Sequence, residues 1–76
     1  MAMKTVEAVR KVMETQDVGT NKMADRLGKP PRLISDRLSQ NNMSIAKLNE
    51  MLRILDYKVV IVPRDARIPE GGFEIE

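Results

Sequence analysis

The 76-residue chain has no cysteine, no histidine and no tryptophan, and it contains only one tyrosine and one phenylalanine. The absence of cysteine excludes disulfide bonds within the chain and all thiolate chemistry. Without histidine or cysteine, a structural zinc site lacks its usual ligands and the common nucleophile–base pairs of enzymes cannot form. We therefore expect no metal, no cofactor and no enzymatic activity.

Long apolar runs are also missing, since the longest covers residues 59–62. A transmembrane helix needs about 20 apolar residues, so no contact with a membrane is expected. The opening MAMKTVEAVR lacks the apolar core of a secretory signal, which favours a cytoplasmic location. A chain this short holds a single small core, and homodimerisation is a common way to add stability.

The net charge of +2 is small, but the positive charge is concentrated in one stretch. Residues 20–43 contain five basic and two acidic side chains, whereas residues 1–19 are neutral and residues 44–76 have a net charge of −1. Clustered cations favour contact with a nucleic acid. A solvated helix surface is the alternative explanation.

Hydrophobic periodicity predicts four helices. They cover residues 5–16, 20–27, 31–39 and 45–56. Thr5 and Ser44 are the predicted N-caps of the first and fourth helices. In the fourth helix, an apolar stripe that begins at Ile45 is expected to face the core.

The connection between the second and third helices contains Gly28, Pro30 and Pro31. Glycine just after a helix commonly adopts the left-handed conformation that ends it. Pro31 suits the first position of a helix, where a backbone N–H is not needed. Ile34 and Leu38 are four residues apart, so we expect them to pack inward from one face of the third helix.

Residues 57–62 are rich in β-branched side chains and predict a strand, because the helical spacing stops there. A single strand cannot satisfy its own backbone groups. It therefore pairs with residues 73–75 as a short hairpin, with the same strand of a second chain, or with both at once. The second case makes a dimer interface of Tyr57, Val59, Val60, Ile61 and Val62.

The predicted fold is mainly α, a compact four-helix domain with a C-terminal β-strand used for dimerisation. Residues 1–62 form the domain with its dimerisation strand. Residues 63–76 form a tail that contains a short second strand or is disordered.

The segment KMADRLGKPPRLISDRL resembles the helix-turn-helix of the Cro and phage-repressor family, the Xre-like bacterial regulators. The matching residues are Ala24, Leu27, Gly28, Ile34 and Leu38. LNEMLRILDY followed by KVVIV is similar to small members in which a helix leads into a C-terminal strand. The resemblance spans residues 4–62 and implies a DNA-binding regulator of transcription in a phage or mobile element.

In such a motif the second helix enters the major groove of double-stranded DNA and the first lies across the phosphate backbone. Carried over to this chain, the resemblance implies groove-facing positions at Pro30, Pro31, Arg32, Ser35, Asp36 and Ser39. It implies phosphate-facing positions at Thr20, Lys22, Asn41 and Asn42. Arg32 is the strongest candidate for a base contact, since arginine can donate two hydrogen bonds to guanine.

The chain departs from the family at Pro30 and Pro31, where other members usually have Ser, Gln, Arg or Asn. The two prolines offer no hydrogen-bond donors. Asp36 adds negative charge, and Arg37 stands where many members have an apolar residue. Two functions follow as hypotheses. One is a sequence-specific, repressor-like regulator that binds an inverted repeat as a homodimer. The other is a protein-interaction module, or an antitoxin with a toxin partner, that reads DNA weakly.

Overall fold

The structure, a computed structural model, describes residues 2–75. Its elements in chain order are β1 (Ala2–Met3), α1 (Thr5–Thr15), α2 (Thr20–Leu27), α3 (Pro31–Leu38), α4 (Ile45–Ile54) and β2 (Glu74–Ile75). Four helices and a two-stranded sheet confirm a small, mainly α domain. The predicted helices differ from the observed ones only at their C-terminal ends.

One hydrophobic core lies between the helices, and all four contribute to it. Its most completely buried side chains are Val9, Val12, Met23, Ile34, Leu48, Met51 and Leu55. The prediction that Ile45 faces this core is wrong, since its side chain is 61% exposed. Ile45 is the first residue of α4 and lies at the edge of the core.

The N-caps of α1 and α4 differ in how they form. Ser44 caps α4 as predicted, because its hydroxyl accepts a hydrogen bond from the backbone N–H of Lys47 at 3.3 Å. The predicted cap at Thr5 is wrong, since Lys4 is the N-cap and Thr5 is the first helical residue. The Thr5 hydroxyl instead accepts a hydrogen bond from the backbone N–H of Met43 at 2.8 Å.

The C-terminal strand prediction needs correction. Residues 57–62 form no ladder with any other segment among the described residues, so the predicted hairpin with residues 73–75 is wrong. The tail does contain a short strand, β2, but it pairs in parallel with β1. Ala2 lies opposite Glu74, and Met3 lies opposite Ile75. Two residues carry no periodic signal, which is why β1 was not predicted.

The chain between α4 and β2 returns over the surface as a loop. The Tyr57 hydroxyl donates a hydrogen bond to the carbonyl oxygen of Gly71 at 3.1 Å and closes the base of this loop. Val59, near the start of this stretch, and Phe73, at its end, are partly buried against the core. Residues 60–72 are exposed.

Candidate nucleic-acid interface

The turn between α2 and α3 is a tight one that begins at Gly28. Gly28 has φ +68° and ψ +33°, the left-handed conformation expected from the sequence. The backbone N–H groups of Gly28 and Lys29 donate to the carbonyl oxygens of Asp25 and Ala24, at 3.3 and 3.0 Å. Ala24 is only 1% exposed, so its small side chain allows close packing where α2 meets α3.

The start of α3 is poor in hydrogen-bond donors. Pro30 is the N-cap and Pro31 the first helical residue, so neither has a backbone N–H. The N–H of Leu33 donates to the Pro30 carbonyl oxygen at 3.0 Å. The backbone N–H of Arg32 therefore remains the donor available to a ligand in this first turn.

The outward face of α3 carries most of the predicted groove-facing residues. Arg32, Ser35, Asp36 and Ser39 follow the i, i+3, i+4, i+7 spacing of a single helix face, and all four are exposed. Pro30 and Pro31 are exposed at the start of the same helix. The inward face carries Ile34 and Leu38, which are 0% and 6% exposed as predicted.

Ser39 has part of its hydrogen-bonding capacity occupied. Its hydroxyl donates to the backbone carbonyl oxygen of Asp36 at 2.7 Å, within the last turn of α3. The hydroxyl oxygen can still accept a hydrogen bond. Ser39 is therefore suited to meet a base donor, such as the amino group of adenine or cytosine.

The predicted phosphate-facing residues lie at the start of α2 and after the end of α3. Thr20 is half-buried as the first residue of α2, and Lys22, the third residue, is exposed. Asn41 and Asn42 are exposed in the loop between α3 and α4. The side-chain oxygen of Asn42 accepts hydrogen bonds from the Thr5 backbone N–H at 3.3 Å and from the Thr5 hydroxyl at 3.4 Å.

These two bonds fix the orientation of the Asn42 side chain. With its oxygen held by the start of α1, the exposed NH₂ group remains as a hydrogen-bond donor. A phosphate oxygen needs a donor of this kind. The sequence suggested only a turn residue or a phosphate contact, whereas the structure gives Asn42 a structural bond as well.

Arg37 is the basic residue of α3 that is not available to a ligand. Its Nη1 donates to Oε1 of Glu50 on α4 at 2.6 Å, and its side chain is only 13% exposed. This hydrogen bond lowers the pKa of Glu50 below the usual 4.5, with the positive charges of Arg37 and Lys29 acting in the same direction. Arg37 therefore lies in a mostly buried position between α3 and α4, held by the carboxylate of Glu50.

Two polar side chains, one on α1 and one at its C-cap, support the ends of other helices and were missed by sequence reasoning. Nη2 of Arg10 donates to the Leu38 carbonyl oxygen at the end of α3, at 2.7 Å. Nε2 of Gln16 donates to the Leu55 carbonyl oxygen after α4, also at 2.7 Å. Both bonds satisfy C-terminal helix carbonyls that have no partner within their own helix. No local signal could have revealed them, because the partners are far apart along the chain.

The predicted dimer residues lie together on the surface just after α4. Tyr57 and Val59 are partly buried against the core, whereas Val60, Ile61 and Val62 are 58%, 99% and 50% exposed. Within the described part of the chain, the backbone groups of residues 58–62 make no hydrogen bond to other backbone groups.

The fold defines a class, a small mainly helical domain with four helices and a two-stranded sheet. Comparison with protein-family profiles, with curated proteins and with solved structures finds no match to this chain. No helix within residues 2–75 is long and apolar enough to cross a membrane. Over the same residues, no three acidic side chains lie close enough together to hold a metal ion.

Proposed function

We propose that this protein is a sequence-specific DNA-binding regulator of transcription that acts as a homodimer. The observation that carries the proposal is the exposed polar face of α3, which begins directly after a tight turn from α2. On this proposal α3 enters the major groove, and its first residues meet the base edges. The start of α2 and the loop after α3 lie against the phosphates on either side.

Arg32 is the central base-reading residue in this arrangement. It is exposed near the start of α3, and within residues 2–75 it forms no ion pair of the kind that holds Arg37. Its guanidinium group can donate two hydrogen bonds to O6 and N7 of guanine, worth about 1–3 kcal/mol of discrimination against other bases. Asp36, one turn later, can accept from the amino group of cytosine.

The dimer is formed by residues 57–62 on this proposal. Burial alternates between Tyr57 and Val59, which are partly buried, and Lys58 and Val60, which are exposed, as in a strand with one face on the core. Antiparallel pairing across a two-fold axis would supply the missing backbone partners. The two copies of α3 would then lie about 34 Å apart, in successive major grooves of an inverted repeat.

The experiment that tests this function is selection of bound duplexes from a randomised DNA library, followed by binding measurements across a salt series. We expect an enriched inverted repeat whose affinity falls steeply with salt, because cations released from the phosphates drive binding. Arg32→Ala should weaken binding to the selected site by roughly 10- to 100-fold and binding to random duplex much less.

Arg53→Ala is the matched control, since Arg53 is an exposed arginine in the last turn of α4. If Arg32→Ala lost equal affinity for the selected site and for random duplex, Arg32 would not be a base-reading residue. A library that yields no enriched site would contradict the regulator itself.

A second candidate function is a protein-interaction module, including an antitoxin that binds a toxin. It is favoured by the apolar side chains of Val60, Ile61 and Val62, which protrude next to backbone groups that other chains could pair with. The donor-poor prolines at the start of α3 favour it too. A chain that stays monomeric and selects no DNA, but binds a protein through this segment, would support this function.

A further inference from the structure

A shallow depression lies on the flank of α3 that faces the start of α4. Its walls are formed by Pro30, Arg32, Leu33, Asp36, Arg37, Gln40 and Lys47. The apolar part comes from Pro30 and Leu33. Leu33 is only partly buried, so one side packs on the core and the other lines this depression.

The chemistry of the depression limits what it can take in the major groove. Hydrogen bonding is weak at its apolar end because Pro30 has no N–H and the N–H of Leu33 is already bonded to the Pro30 carbonyl. The edges of the base pairs expose a single apolar group in the major groove, the 5-methyl group of thymine. A polar base edge placed against Leu33 would lose its water without gaining a partner.

We propose that this depression receives the 5-methyl group of a thymine in the operator, and that Leu33 is the specificity-determining residue for it. The proposal rests on the proposed function, since it requires α3 to enter the major groove. Arg32 and Asp36 border the same depression and suit guanine and cytosine, so the thymine lies next to a G·C pair. The prolines thus shift the reading from hydrogen bonds toward an apolar contact.

The test replaces each thymine of the selected duplex in turn by deoxyuridine, which removes only the methyl group. We expect one position in each half-site, next to a G·C pair, to lose about fourfold in affinity, the value of one buried methyl-sized group. This measurement uses the unaltered protein, so no variant has to fold for it to be read.

The same duplexes are then measured with Leu33→Ala. The variant should bind the thymine and deoxyuridine sites equally well at that position, while its preference at the G·C pair is kept. Ile68→Ala is the matched control, because Ile68 is a partly exposed aliphatic residue of the tail, 41% exposed, and away from α3 in the chain. Pro30→Ala, at an exposed N-cap, should also reduce the methyl effect. It provides a second test if Leu33→Ala does not fold.

Two results would overturn the inference while leaving the regulator intact. One is a selected site in which no thymine is sensitive to loss of its methyl group, as expected if the depression takes a phosphate beside Lys47. The other is a methyl effect that persists unchanged in Leu33→Ala and Pro30→Ala. Failure of the regulator itself has a different signature, since no duplex would be enriched at all.

Discussion

At the scale of single residues, the ion pair between Arg37 and Glu50 joins α3 to α4. Arg37 is nearly buried, whereas the Glu50 side chain is 42% exposed, so solvent weakens the attraction. Pairs of this kind contribute about 0.2–1 kcal/mol. The bond holds Arg37 between α3 and α4, which leaves Arg32 as the exposed arginine of α3.

Glu50→Gln should lower the free energy of unfolding by about 0.5 kcal/mol near neutral pH. Because the pKa of Glu50 is lowered in the folded state, its contribution is present above the usual 4.5 and is lost as the pH falls through the folded value. Urea unfolding at neutral pH and at about pH 3 should therefore show the two proteins converging in acid.

Glu14→Gln, at an exposed position on α1, is the control and should differ little from the parent at either pH. A Glu50→Gln deficit of the same size in acid would show that the carboxylate charge is not responsible.

At the scale of elements, the start of α1 is joined to the loop between α3 and α4 by Thr5. This residue is 6% exposed, and its hydroxyl accepts from the Met43 N–H while donating to the side chain of Asn42. The end of the loop that precedes α4 is therefore tied to the start of α1. The side-chain oxygen of Asn42 is held by the Thr5 hydroxyl and by the Thr5 backbone N–H.

Thr5→Val should destabilise the protein by about 1–3 kcal/mol, since the buried N–H of Met43 loses its partner while the side-chain volume hardly changes. Thermal or urea unfolding measures the loss. Thr15→Val is the matched control, because the exposed Thr15 hydroxyl bonds only to the Lys11 carbonyl oxygen one turn earlier. Equal effects of the two substitutions would contradict a specific role for the Thr5 bonds.

Sequence patterns predicted the features of these elements that depend on neighbouring residues, but not those that depend on distant ones. The roles of three residues were predicted correctly, because each depends on local backbone conformation or on a bond three residues away. These residues are Gly28, Pro31 and Ser44. Thr5 was misassigned because its hydroxyl bonds to a residue 38 positions later. Ile45 fits the apolar spacing of α4 but lies beyond the edge of the core, a position that depends on the neighbouring helices.

At the scale of the whole molecule, the proposed dimer has a definite register. A two-fold axis perpendicular to an antiparallel strand pair places one residue opposite its own copy. With Val60 at that position, Ile61 lies beside Val59 of the partner subunit on the face that packs inward. This register gives Ile61, the most exposed aliphatic side chain, an apolar neighbour that its own chain does not supply.

Val60→Cys should form a disulfide-linked dimer on mild oxidation, because paired strands bring their Cα atoms within disulfide range. The parent chain has no cysteine, so the introduced thiol is unique. Non-reducing electrophoresis measures the product, and sedimentation of the unmodified protein should show a dimer. Ile68→Cys, at another partly exposed aliphatic position of the tail, should cross-link much more slowly.

Cross-linking at equal rates, or a parent that sediments as a monomer, would remove residues 57–62 from the interface. A monomer would also remove the basis for an inverted repeat as the preferred site.

The sequence was sufficient to locate the four helices, the left-handed turn at Gly28 and the alternation of inward and outward residues on α3. These features depend on φ preferences, on missing N–H groups and on helical spacing, all of which act over a few residues. The tertiary structure alone decided that β2 pairs with β1, that Arg37 binds Glu50, and that Arg10 supports the end of α3. Each joins positions that only the packing of the core brings together.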